Sequence, residues 1–152
     1  MNTLIAYFSK SGRTKRSAEQ IAKIIDSDLY EIKTIKQYPK NYFRTLAVAR
    51  TEFGRKELPE LAEMPDIAGY DRILIGFPIW FGTCPMAVVS FLKKSSMKGK
   101  IICPFCTSGA TGCDKATADL REAIPDADVR RGMKANKLSH DDVLTWLVGQ
   151  EA

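Results

Sequence analysis

Histidine is almost missing from this chain: its 152 residues include one, His140. That residue sits beside an expected helix cap and reads as a surface group, so mechanisms needing histidine as base or metal ligand have no support. Long hydrophobic runs are missing too. The longest, Ile73 to Gly82, falls well short of the about 20 residues a membrane span requires. The apolar start at Leu4 and Ile5 has no basic stretch before it and no small-residue cleavage site after it, so no signal peptide is expected and a cytoplasmic location follows. Several catalytic signatures are absent. The chain has no Gly-x-Gly-x-x-Gly dinucleotide fingerprint, no Gly-Lys-Ser/Thr triphosphate loop and no Gly-x-Ser-x-Gly elbow. A cysteine phosphatase would need arginine six residues after Cys106, and that position is Gly112.

Cysteine is sparse, with four in the chain: Cys84, Cys103, Cys106 and Cys113. In a reducing compartment these are expected to be free thiols. Cys103 and Cys106 match a C-x-x-C spacing. On a strand, positions three apart face opposite sides of the sheet, so neither a bridge nor a shared metal is expected there.

What is present suffices for one domain over residues 1–152, because a chain of this length buries about 70% of its unfolded surface. Apolar residues at 45% and charged residues at 27% argue against disorder. The net charge of +5 is unevenly placed. Residues 1–60 carry 12 basic and 7 acidic side chains, whereas the remainder carries 11 of each. A basic region attracts nucleic acid, anionic membrane or a phosphorylated ligand, and composition does not choose among them.

Strand and helix patterns alternate along the whole chain. Thr3 to Phe8 is an uncharged apolar run of the kind buried on both faces. Ala18, Ile21, Ala22 and Ile25 then give a helix over 14–26. Leu29 to Lys33 alternates as a strand; Phe43, Leu46, Ala47 and Phe53 form a helical stripe over 41–56; a Pro-containing connector follows from Leu58 to Gly69. Arg72 to Phe77 is the third strand. Pro85, suited to a first helical turn, opens a helix with Val88, Val89 and Leu92. Lys100 to Phe105 is the fourth strand, with Pro104 lacking one ladder hydrogen bond. Residues 113–124 form a fourth helix, and Asp128 to Met133 a weak fifth strand. Ser139 and Asp142 form a capping-box pattern opening a last helix through Val143, Leu144 and Leu147. Such alternation implies an α/β fold, a doubly wound five-stranded parallel sheet with helices on both faces. Ligands of such sheets bind outside the carboxyl ends of the strands.

Function is therefore expected in three loops. After strand one, Ser9-Lys10-Ser11-Gly12-Arg13-Thr14 supplies hydroxyls, a glycine and basic side chains where a helix begins. That combination suits a phosphate monoester, since backbone N–H groups and the helix dipole favour an anion there. After strand three, Pro78, Ile79, Trp80, Phe81 and Gly82 offer a flat apolar face. After strand four, Thr107, Ser108, Gly109 and Gly112 let backbone N–H groups approach a polar ring edge.

Together, Ser9 to Thr14, Gly76 to Trp80 and Pro104 to Gly109 resemble the flavodoxin family, most closely its bacterial flavodoxin-like branch, which has a segment similar to Tyr38 to Tyr42. The resemblance covers nearly the whole chain. It implies a strand order of 2-1-3-4-5 with FMN at the switch between strands one and three. It also implies that Ser9, Ser11, Gly12, Arg13 and Thr14 hold the phosphate. Pro78, Ile79, Trp80, Phe81 and Gly82 would border the isoalloxazine, with Trp80 stacking and the Gly82 peptide meeting the ring nitrogen N5. Thr107, Ser108, Gly109 and Gly112 would follow the pyrimidine edge. No protein side chain is assigned as catalytic, because the chemistry belongs to the flavin.

Arg13 replaces the asparagine of many flavodoxins and adds a charge-assisted donor. The third loop lacks the usual tyrosine, leaving Tyr38, Tyr42 or Phe43 to cover the second ring face. The basic balance also departs from acidic carriers. A unit charge ~10 Å away at an effective dielectric of ~20 contributes about 1.7 kcal/mol, or roughly 70 mV for one electron. A less negative potential is therefore expected. The readings are an FMN-binding electron carrier with a redox partner protein, expected to be acidic; an FMN-dependent NAD(P)H:quinone-type reductase; and a cofactor-free module using its basic surface. Neither nucleic acid nor membrane is expected as partner to the first two.

Overall fold

In the computed structural model, which describes residues 1–149, strands and helices alternate as the apolar pattern requires. The last three residues of the expected 1–152 domain lie outside the described residues. The elements are β1 (Thr3–Tyr7), α1 (Arg13–Ile24), β2 (Asp28–Glu31), α2 (Tyr42–Arg55), β3 (Arg72–Pro78) and α3 (Met86–Lys94). They continue with β4 (Ile101–Thr107), α4 (Asp114–Ala123), β5 (Asp128–Val129), β6 (Met133–Lys134) and α5 (His140–Gly149). All pair in parallel in the order β2-β1-β3-β4-β5, with β6 also on β4. This is the expected 2-1-3-4-5 order.

The uncharged strands are buried on both faces because helices cover both. Leu4, Ala6, Ile73, Ile75, Phe77 and Ile102 face α2, α3 and α4 through Ala49, Val88, Phe91, Ala116 and Leu120. The alternate positions Ile5, Tyr7, Leu74, Cys103 and Phe105 face α1 and α5 through Ile21, Val143, Trp146 and Leu147. Fully burying each Ile, Leu or Phe contributes about 1.5–3 kcal/mol. Cys103 and Cys106 thus fall in opposite layers, as their spacing requires.

The fifth strand is broken, and Pro104 is opposite the break. Ile102 pairs with Val129 and Phe105 with Met133. Two residues of β4 therefore face three on the edge, Arg130, Arg131 and Gly132, which makes a bulge. The carbonyls of Ile102 and Cys106 accept from Arg130 and Ala135, so the even positions of β4 point their backbone groups to this edge. Pro104 has no N–H to offer there. The expected capping box is present: Asp142 N donates to Ser139 Oγ at 3.1 Å and Ser139 N to Asp142 Oδ2 at 3.0 Å.

Candidate functional site

The loops after β1, β3 and β4 converge at the carboxyl end of the sheet. The turn before α1 is built around Gly12, whose φ of +93° lies in the left-handed region glycine tolerates. Its N–H donates to Ser9 Oγ at 3.1 Å, and no side chain caps α1. The helix thus opens with uncapped N–H groups, no acid in its first turn, and Lys10, Ser11 and Arg13 beside it. Thr14 is buried, its Oγ1 2.8 Å from Thr107 Oγ1, which ties the first loop to the third.

After β3, Trp80 and Thr83 exchange backbone hydrogen bonds of 2.9 and 3.0 Å across Phe81 and Gly82. Both central residues have positive φ, +52° and +80°, the conformation of a type I′ turn. Thr83 Oγ1 donates to Asp119 Oδ2 at 2.5 Å, and Lys115 pairs with the same carboxylate at 2.9 Å. Partial burial pushes Asp119 upward, yet the Thr83 hydroxyl and the Lys115 ammonium hold it below the usual carboxylate range.

The third loop is pinned at both ends. Ser108 N donates to Asn136 Oδ1 at 3.0 Å and Asn136 Nδ2 returns a bond to Ser108 O at 2.5 Å. Ser108 Oγ donates to Thr111 O, and Lys134 reaches Gly109 O at 3.4 Å. Beneath the loop, Cys106 and Cys113 are joined by a disulfide, while Cys84 and Cys103 are free and buried. The expectation of four free thiols is corrected here. It considered the C-x-x-C pair on one strand, whereas this bridge crosses from the end of β4 to the cap of α4, where the loop turns the chain back on itself.

Between the loops lies a cavity of about 340 Å³ lined by Lys10, Ser11, Arg13, Tyr42, Pro78, Ile79, Trp80, Thr107, Ser108 and Gly109. Of the expected residues it gathers Ser11, Arg13, Pro78, Ile79, Trp80, Thr107, Ser108 and Gly109. Ser9, Gly12 and Thr14 shape the first loop from behind, and Phe81, Gly82 and Gly112 stand outside the lining. Trp80 is only 3% exposed, packed edge-on against Phe8 and Tyr38 at 5.5 and 5.4 Å between ring centroids. Little of its face is free. Tyr38 is half-buried against the core and donates from its hydroxyl to Glu52 Oε1 at 2.5 Å; burial and that carboxylate push its phenol well above the usual range. Tyr42, 58% exposed at the start of α2, lines the cavity together with Trp80. Asn41 sets its position by capping α2, accepting from Arg44 N.

A larger hollow of about 520 Å³ lies at the opposite, amino end of the sheet, bordered by Asp26, Asp28 and Asp66. Its carboxylates repel a phosphate. Asn136 and the disulfide were not legible as site components, since Asn136 lies 28 residues from its partner Ser108.

A flavodoxin family model matches residues 2–150. A protein of Bacteroides eggerthii, provisionally described as a flavoprotein, superposes with a TM-score of 0.93 at 28% identity, covering 99% of this chain and 98% of its own. One of Bacteroides uniformis, described in the same terms, gives 0.88 at 32% identity over 97% of each chain. The flavoprotein of Lactobacillus acidophilus in complex with FMN gives 0.83 at 29% identity, over 96% and 98%. No curated protein matches significantly.

Proposed function

Because the chain belongs to the flavodoxin family, we propose that it holds FMN non-covalently in this cavity and carries electrons through it. One observation bears most of the weight: a single cavity has cationic groups at one end and apolar and hydrogen-bonding groups at the other. Lys10, Ser11, Arg13 and the uncapped N-terminus of α1 suit a dianionic phosphate by charge and by donor supply. Pro78, Ile79 and Tyr42 suit the faces of an apolar ring system, and the Thr107–Gly109 backbone suits its polar edge. FMN supplies reversible one- and two-electron chemistry, and the protein orients the ring and excludes water from it.

Ser9 and Thr14 act behind the phosphate by fixing the loop that presents Ser11 and Arg13. Phe81 and Gly82 form the turn at the ring's border, tethered to α4 through Thr83 and Asp119. The test is the visible spectrum of the purified protein followed by titration with FMN. A flavin spectrum, or saturable binding on supplementation, supports the reading; no binding under either condition overturns it in favour of a cofactor-free module.

A carrier needs a partner. Lys36, Lys40, Arg44 and Arg50 stand exposed, whereas Lys33 and Arg55 are paired with Glu31 and Glu57. The exposed group favours an acidic protein surface. The alternative of an NAD(P)H:quinone-type reductase is separated by steady-state NAD(P)H oxidation with a quinone and no added reductase. Turnover under those conditions assigns the enzyme reading, and its absence the carrier.

A further inference from the structure

We propose that Cys106 and Cys113 form a reversible thiol–disulfide site that sets how tightly the third loop holds the flavin, an inference that rests on the FMN reading above. The bridge spans Cα atoms 6.2 Å apart and closes a loop of six intervening residues. Three of these, Thr107, Ser108 and Gly109, line the cavity. Thr107 also reaches Thr14 behind the phosphate loop, so the constraint touches two of the three loops.

Thr107 is held further by Ile79 N and by Thr14; beyond it, Ser108 bonds to Asn136 and Thr111 and Lys134 reaches Gly109, all at the exposed surface. Such bonds exchange readily with water and contribute modestly. With glycines at 109 and 112, the segment regains much conformational freedom once the covalent tie is opened. A ligand must then order the loop on binding, whereas the bridged loop is already ordered.

Position also separates this pair from the other cysteines. Gly109 to Gly112 are exposed above the buried sulfurs, so opening of this short segment uncovers Cys113. Cys84 follows the turn after β3 and Cys103 lies within β4 on the opposite face of the sheet from Cys106; burial pushes their thiols up to about 12 and about 11. They stay protonated, and exchange needs a thiolate.

In the oxidising direction, each thiol of the pair loses one proton and one electron. Two S–H bonds break and one S–S bond forms between Cys106 and Cys113. A low-molecular-weight disulfide accepts both electrons, its own S–S bond breaking to give two thiols. Reduction by the corresponding thiol runs in reverse.

The full-length chain is poised with glutathione disulfide or with dithiothreitol, freed of reagent, and titrated with FMN by quenching of flavin fluorescence. Thiols alkylated after denaturation report the state: two for the bridged form and four for the reduced form. Reduction is expected to weaken FMN binding about tenfold, with recovery on reoxidation, in line with the entropy of freeing a short loop. Cys113→Ser is expected to bind like the reduced protein and ignore glutathione disulfide. Equal affinity in the two states overturns the proposal while leaving the flavin reading intact. Four thiols persisting after glutathione disulfide also overturn it. Failure to bind FMN in either state overturns both. If Cys113→Ser does not fold, the comparison of the two wild-type states decides alone.

Discussion

Tyr42 and Trp80 both line the cavity, from different settings. Trp80 sits at the end of a strand, framed by proline and glycine, yet Phe8 and Tyr38 enclose its ring. Tyr42 occupies the first turn of a helix with its ring at the cavity. Tyr42→Ala is therefore expected to weaken FMN binding by about three- to tenfold through lost stacking, with unfolding midpoints unchanged; unchanged affinity would place the ring outside the site. Thr117 presents a second residue-level case. Its buried Oγ1 has no hydrogen-bond partner among the described residues, and an orphaned buried hydroxyl destabilises. Thr117→Val keeps the shape, removes the orphan, and is expected to raise the unfolding free energy by about 1 kcal/mol in denaturant titration. Tyr42 was one of three aromatics the sequence offered for the second ring face, but the choice among them and the Thr117 orphan were not legible. Alternation reveals that a residue is inside or outside, but which aromatic blocks another depends on contacts between distant segments.

Elements show the opposite balance, because their periodicity is written locally. The apolar runs at 3–8, 72–77 and 100–105 and the helical stripes between them appear within two residues of their expected limits. The fifth strand was the exception, since the bulge facing Pro104 depends on the partner strand. Between β3 and β4, Gly76 is opposite Phe105, and a Cβ there would stand 2.2 Å from Phe105 Cζ. Gly76→Ala is accordingly expected to cost about 3 kcal/mol, the upper part of the overpacking range, read as a lower melting temperature; an unshifted midpoint would mean that the ring relocates freely. The turn between β3 and α3 is fastened to α4 by Thr83, Asp119 and Lys115. Asp119 has a folded pKa below its ordinary value, so its contribution is present above the unfolded pKa of about 3.9 and is lost as pH falls through the lower folded value. Between about pH 5 and about pH 2.5 the wild type should lose more stability than Asp119→Asn. Parallel pH profiles for the two proteins would remove the tether as a stabilising contact.

For the whole molecule, charge becomes informative only when the fold places it. The excess of bases in residues 1–60 was compatible with several anionic partners. Folding brings Lys10 and Arg13 to the cavity, whereas the charge of Lys115, which lies against Gly82, is matched by Asp119. Full reduction of a flavin adds negative charge, and nearby cations favour that change. The FMN-bound protein is therefore expected to have a less negative potential than a flavin held among acids. Salt supplies the direct test, because the screening length falls from about 30 Å at 0.01 M to about 3 Å at 1 M. Raising the salt across that range weakens the attraction of the cations for the reduced ring, so the midpoint in a redox titration should become more negative. Around an acidic site the same salt change weakens repulsion and moves the midpoint upward. A midpoint that rises with salt would therefore show that the cations near the cavity do not govern the flavin, whatever the absolute potential.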